Sequence, residues 1–247
     1  MLPSIYDPAA PFTLGILGGG QLAKMTLQAA YRMGMQVAII ENGELSPAGM
    51  MTKKEFAGGW SDADQLEAFI KASDIITLEN EFVDPKILDT IAERRMVFPT
   101  PETMRLVQDK FTQKETFAAV GIPTATFVAI ESKEDLAAFG AQHGYPFVAK
   151  TRKYGYDGYG NATIKRETEI DMVWRRFMEG ESPRPLLAES FITFNKELAV
   201  MVARNKRGEV AVYPCVQTIQ EGHICVTVLA PAPIEEPLLK RAQEIAV

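Results

Sequence analysis

Over about its first hundred residues the chain alternates short apolar runs with segments whose apolar residues recur at helical spacing, and nothing else in the sequence restricts the fold as much. The runs are "LGIL" (14–17), "QVAII" (36–40) and "DIITLE" (74–79). Between them, residues 21–33 place Leu22, Met25, Leu27, Ala29, Ala30 and Met33 at helical intervals, with Gly34 suited to a helix C-terminus. Residues 61–72 open on Ser61 as an N-cap, carry acid in the first turn, and set Leu66, Phe69 and Ile70 on one face. Residues 85–95 form a third helical stretch with proline in its first turn. Strands that alternate with helices join in parallel through crossovers, so the sheet is covered on both faces. The expectation is an α/β domain over residues 1–108, although residues 42–60 do not restart the winding cleanly.

The character changes at "FPTPETMRLVQDKFTQKETFAAVGIPTATF" (98–127), where prolines punctuate and Thr100 or Thr103 can cap. A second domain, 109–247, is expected from here. It opens with a helix from about 109 that ends at Gly121, followed by a serine-capped helix within 131–144 and a strand over 145–151. Residues 185–192, 196–204, 209–219 and 223–231 read as closely spaced strands, hence antiparallel, and 235–247 as a helix. The net charge of −6 argues against a general nucleic-acid binder but leaves room for a local basic pocket. No window approaches the ~18 apolar residues of a membrane span, and residues 1–12 lack a signal-peptide pattern, so a cytoplasmic protein away from the membrane is expected. Cys215 and Cys225 lack CxxC spacing and the two histidines, His143 and His223, lie far apart; reduced core thiols and no metal motif are expected.

Two glycine-bearing loops carry the functional signal. "GILGGGQLAKM" (15–25) follows a strand and opens a helix, and Gly18-x-Gly20-x-x-Ala23 formally fits the dinucleotide fingerprint. Bare amides at a helix N-terminus can hold a phosphate, and Glu41, ending the second strand, could bind a ribose hydroxyl. A packing turn, an NAD site and a site for another phosphorylated ligand all remain open at this point. The second loop is "KTRKYGYDGYGN" (150–161). Its glycines let backbone approach a polyphosphate, its lysines supply charge, and a hairpin of this kind can close as a lid that excludes water. Downstream, Glu189 ends an apolar strand, and Glu197 lies among residues fit for a core strand, where a carboxylate requires a partner.

Taken in order, "GILGGGQLAKM", "SPA" (46–48), "ITLENEFVD" (76–84), "PTPETMRLVQDKFTQKE" (99–115), "KTRKYGYDGYGN", "KELAVMVAR" and "YPCVQTIQEGHIC" resemble the 5-(carboxyamino)imidazole ribonucleotide synthases, ATP-grasp enzymes of purine biosynthesis. The resemblance implies a Rossmann-like pre-ATP-grasp domain followed by an incomplete ATP-grasp α+β domain whose lid subdomain spans about 122–192. It implies a ligase that joins bicarbonate to aminoimidazole ribonucleotide with ATP and Mg²⁺, giving ADP and phosphate, often as a homodimer. By resemblance, ATP is bound by Lys110, Lys150, the lid residues Gly155, Tyr156, Asp157, Gly158, Tyr159, Gly160 and Asn161, the hinge Glu189, Ser190, Phe191 and Ile192, and by Glu197 and Gln220. The nucleotide substrate is lined by Gly18, Gly19, Gly20, Gln21, Ser46, Glu79 and Glu81, with Tyr156 reaching it from the lid. Lys110 stands where many members have arginine, Gln220 where a histidine is common, and Thr218 where asparagine is frequent. The family's metal-binding glutamate lies in a segment beyond these residues, so the chain is expected to be the N-terminal two-thirds of such an enzyme, with no metal ligands and little catalysis by itself.

Overall fold

The alternating pattern folds as five parallel strands: β1 (Thr13–Leu17), β2 (Gln36–Glu41), β3 (Glu55–Ala57), β4 (Ile75–Leu78) and β5 (Met96–Phe98), in the order β3-β2-β1-β4-β5. The computed structural model describes residues 11–155, 160–179, 183–222 and 224–247. The chain divides into two units, Met1–Asp109 and Lys110–Val247. In the first unit the connecting helices are α1 (Gln21–Arg32), α2 (Ala63–Ala72), α3 (Pro85–Ala92) and α4 (Pro101–Gln108). Successive strand residues point to opposite faces, and both faces are apolar. Ile16, Val37 and Ile39 pack with Ala23, Leu27 and Ala30 of α1. Leu17, Ala38 and Ile40 pack with Leu66, Phe69 and Ile70 of α2, Leu88 and Ile91 of α3, and Met104 of α4. Because β1 is flanked by β2 on one side and β4 on the other, the winding reverses there, and open α/β sheets in general take ligands at the carboxyl ends of strands at such a switch point.

Several local expectations change. Asp62, not Ser61, caps α2, accepting from Asp64 N and Gln65 N at 3.0 and 3.1 Å. Residues 42–60 do restart the winding: β3 pairs in parallel with β2 from Ile39↔Glu55 to Glu41↔Ala57. Its crossover carries only a short 3-10 turn (Gly49–Met51) and the strand is three residues long, too little to show a period. Residues 98–127 hold β5's end and two helices, because Thr100 caps α4 with Pro101 in its first turn, and α5 (Lys110–Ala119) follows separately.

The second unit has a four-stranded antiparallel sheet in the order β6-β9-β7-β8, made of β6 (Phe127–Ile130), β7 (Phe147–Thr151), β8 (Asn161–Ile164) and β9 (Leu186–Ser190). One face, with Phe147, Ala149, Leu186 and Ala188, is buried under α6 (Lys133–His143) and α7 (Ile170–Met178). Ser132 and Asp135 close α6 with a capping box. Helix α7 was not anticipated, although Ile170, Val173 and Phe177 sit at the helical spacing that buries them. Alternation puts Val148, Lys150, Leu187 and Glu189 on the other face.

The strands expected over 196–204 and 209–219 are each broken. They form β10 (Glu197–Ala199), β11 (Val202–Arg204), β12 (Val210–Val212) and β13 (Val216–Glu221), followed by β14 (Ile224–Leu229) and α8 (Glu236–Ala246). β10-β13-β14 make one antiparallel sheet and β11-β12 a separate hairpin. Pro214 lies in the second break, where it has no N–H to give a ladder. Both cysteines are free thiols, but only Cys215 is buried; Cys225 is exposed on β14, against the expectation of two core thiols. Among the described residues no helix is long and apolar enough to cross a membrane.

Candidate functional site

Within the first unit, the carboxyl ends of three neighbouring strands converge. β1 runs into Gly18–Gly20, β2 ends at Glu41, and β4 is followed by Glu79. The loop amides are not bare. Gly20 N donates to Glu79 Oε2 at 2.8 Å, and Leu22 N and Ala23 N donate to Oε1 at 3.1 and 3.3 Å. Gly19 N donates to Glu41 Oε2 at 2.9 Å. Helix α1 has no side-chain cap of its own; the Glu79 carboxylate supplies one, and negative charge is favoured at a helix N-terminus. The glycines follow from this approach. A Cβ on Gly20 would lie 2.4 Å from Glu79 Oε1, and one on Gly18, whose φ is +104°, 2.7 Å from Glu79 Cβ.

Ser46 is buried, donates its hydroxyl to Glu55 Oε1 at 2.7 Å and accepts from Gly49 N at 3.0 Å. Glu55 also accepts from Ser46 N and Leu45 N, the latter residue at φ +58°. A Cβ on Gly19 would meet Ser46 Oγ at 2.3 Å. The structure thus gathers Gly18, Gly19, Gly20, Ser46 and Glu79, as well as Glu41 and Glu55. Glu41 was noted only for a ribose, and nothing in the sequence marked Glu55. Gln21 opens α1 and is exposed; Glu81 is exposed as well, and its backbone carbonyl accepts from Gln108 Nε2 at 2.7 Å.

In the second unit, Lys110 N donates to Arg152 O at 2.9 Å, which sets the start of α5 against the end of β7. Thr151 N donates to Gly160 O at 2.8 Å, and Lys150 pairs in register with Asn161 across the hairpin. Gly155 and Gly160 form a tight neck: a Cβ on Gly160 would stand 2.8 Å from Gly155 Cα, and one on Gly155 3.5 Å from Lys110 Nζ. Tyr156, Asp157, Gly158 and Tyr159 lie outside the described residues.

Beside this neck, Glu189 is 7% exposed. Lys150 Nζ pairs with its Oε1, and Lys114 Nζ stands 2.8 Å from its Oε2. Burial pushes this carboxyl up, but the two ammonium groups outweigh burial and hold it below the usual carboxylate range. Lys114 Nζ also lies 5.6 Å from the centroid of Phe127, and the Arg152 guanidinium 4.9 Å from that of Phe111. Lys114 was missed in the sequence, although it stands one turn beyond Lys110, the i, i+4 relation that places two side chains on one helix face.

Ser190 N donates to Thr126 O at 2.9 Å, and Phe191 and Ile192 are exposed. Glu197 and Gln220 belong to the separate β10-β13-β14 sheet, where both are exposed. The expectation that Glu197 is buried fails: on the three-residue β10 the half-buried residue is Leu198, and Glu197 beside it is exposed. No three His, Cys, Asp or Glu side chains among the described residues converge to hold a metal ion.

A ribonucleotide synthetase pre-ATP-grasp family model matches residues 12–108, and an ATP-grasp domain model matches residues 115–247. The phosphoribosylaminoimidazole carboxylase of Ogataea methanolica is 38% identical, over 95% of this chain and 43% of its own length. The N5-carboxyaminoimidazole ribonucleotide synthase of Synechococcus elongatus is 36% identical, over 94% of this chain and 58% of its own. A solved structure of the Aspergillus clavatus N5-carboxyaminoimidazole synthase with ADP and 5-aminoimidazole ribonucleotide has a TM-score of 0.85 at 32% identity, covering 95% of this chain and 61% of that one. The chain therefore spans roughly half the length of the curated relatives it matches. By fold and sequence together it belongs to the ATP-grasp family, with the N5-carboxyaminoimidazole ribonucleotide synthases.

Proposed function

We propose that the protein to which this chain belongs carboxylates 5-aminoimidazole ribonucleotide on its amine, using bicarbonate and ATP and releasing ADP and phosphate, in cytoplasmic purine biosynthesis. The observation that carries the nucleotide half of this reading is the pairing of half-buried Lys150 and Lys114 with the buried Glu189 carboxylate, beside the glycine neck of the 150–161 hairpin. Lys150 and Lys110 supply positive charge for phosphoryl oxygens, the segment from Glu189 to Ile192 receives the adenine edge and ribose, and Glu197 and Gln220 complete the nucleotide site. Water has to be kept from a reactive acyl phosphate, and the glycine neck at Gly155 and Gly160 lets backbone approach the phosphates there.

The first unit takes the ribonucleotide. Because the loop amides already hold Glu41 and Glu79, the loop between Gly18 and Gln21 presents carboxylate oxygens to the ligand's hydroxyl and amino donors, with Ser46 and Glu81 at its margins. Mg²⁺, which ATP-grasp chemistry implies, would neutralise phosphate charge. The described residues do not fit it, having no cluster of three ligands. The substrate assignment is supported by the relatives and by the Aspergillus clavatus complex.

Calorimetry tests both halves. ADP with Mg²⁺ is expected to bind the chain and to lose at least about tenfold in affinity in Lys150→Ala, as for a lost charge-assisted contact of ~1.5–3 kcal/mol. Aminoimidazole ribonucleotide is expected to bind the wild type and not Glu79→Ala. ADP binding without ribonucleotide binding removes the substrate assignment, and NAD binding in place of ADP removes the whole reading.

A further inference from the structure

Glu189 faces two lysines, and one of them is expected to leave it. Lys150 is bound to Glu189 Oε1, yet the proposed function sends its ammonium to a phosphate. A carboxylate buried to 7% exposure and stripped of its partner is costly, because desolvation is then uncompensated. Lys114 removes that obstacle. It approaches the other oxygen, Oε2, at 2.8 Å from a different element, α5, and so does not depend on where Lys150 points. The cluster carries two cations and one anion: one lysine can depart and leave a neutral pair behind.

Resting on the nucleotide-binding reading above, we propose that Lys114 is a positioning residue, the resident counter-ion of Glu189, which makes Lys150 transferable to the nucleotide. Lys114 itself stays on the carboxylate. Among the described residues, Lys114 and Lys150 are the cations paired with Glu189; Lys110, one turn earlier on α5, has its Nζ 3.5 Å from where a Cβ on Gly155 would stand. β6 contributes only Phe127–Ile130, and β7 brings only Lys150 to this face. On α6, Asp135 accepts from the amides of Glu131 and Ser132, Lys133 pairs with Asp171, Glu134 is exposed, and His143 packs on Phe139. Arg152 lies over Phe111.

The consequence is a proton linkage that packing alone does not produce. Without Lys114, freeing Lys150 requires Glu189 to take up a proton, so ADP affinity falls about tenfold for each pH unit above the carboxyl's pKa. The experiment is calorimetry of ADP–Mg²⁺ with the chain at pH 7.5–8.5, in two buffers of different ionisation enthalpy. Wild type serves as the reference that cancels the nucleotide's own ionisation. Lys114→Met is expected to bind at least about tenfold more weakly and to take up close to one additional proton per ADP. Lys114→Arg, which keeps the charge, is expected to bind like wild type without the extra proton. In a Glu189→Gln background, Lys114→Met should change affinity by less than about twofold, since no carboxylate is left to compensate. Lys114→Gln serves in the same cycle if the methionine variant melts early.

Unchanged affinity in Lys114→Met, weakening without proton uptake, or weakening that persists in Glu189→Gln each overturns the proposal in favour of packing or direct phosphate contact. A wild type that binds no ADP overturns the nucleotide reading itself.

Discussion

At the scale of single residues, the three glycines of the first loop do not have the same reason to be there. Gly18 needs both a positive φ and room for the Glu79 stem, whereas Gly20, with φ −78°, only makes way for the Glu79 carboxylate. Gly43, by contrast, has nothing within 4 Å of a Cβ. Gly18→Ala is expected to cost roughly 1–3 kcal/mol in chemical denaturation, the range for strained backbone, and Gly43→Ala to stay within about 0.5 kcal/mol. Equal costs at the two positions would refute this account. The loop's position after a strand was legible in sequence, and so was its phosphate-like composition. Its occupation by Glu41 and Glu79 was not, because those carboxylates arrive from strands 22 and 59 positions away. The same holds for Glu189. Its sequence context suggested a ribose acceptor, and only the fold showed that the ammonium groups of Lys150 and Lys114 stand within ion-pair distance of its two oxygens.

At the scale of elements, exposed charged pairs link helix ends whose apolar faces share one core. Glu67 of α2 accepts from Arg94, just beyond α3, with Nη2–Oε1 at 2.9 Å, and from Lys71 one turn along its own helix at 3.3 Å. The Arg94 hydrogen bond, with Lys71 adding to it, holds the Glu67 carboxyl down to about 2. A depressed carboxyl stabilises the fold above its ordinary range and loses that contribution as pH falls towards its folded value. Glu67→Gln is therefore expected to melt slightly below wild type at pH 6 and together with it near pH 2. The difference is small because the pair is solvent-exposed; a gap that persists at pH 2 would contradict the assignment. Helix α6, with its serine cap, was readable from sequence; α1 was readable as a helix, but of the apolar residues named for it Leu22, Met25, Ala29 and Met33 are exposed and only Leu27 and Ala30 are buried. The three-residue strand β3 and the break between β10 and β11 were not readable, since pairing partners set them and local pattern does not; the break between β12 and β13 was marked in the sequence by Pro214 and passed over.

At the scale of the whole molecule, each unit has its own sheet and its own buried clusters, one on each face of the first unit's sheet and one beneath the four-stranded sheet of the second. A polypeptide of residues 1–109 is accordingly expected to fold alone, with a cooperative melt by circular dichroism. A non-cooperative melt would show that its core is insufficient. The amino-acid order by itself determined the α/β class, the parallel winding of the first unit and the antiparallel strands of the second, because hydrophobic period and turn chemistry are local properties. It also marked the two glycine loops and the lysines at 110 and 150. The tertiary structure alone decided which charges meet. Lys114, Lys150 and Glu189 come from three segments, the carboxylates of Glu41 and Glu79 reach the amides of Gly19 and Gly20 from two other strands, and no local rule relates residues whose proximity is created by sheet register and strand order.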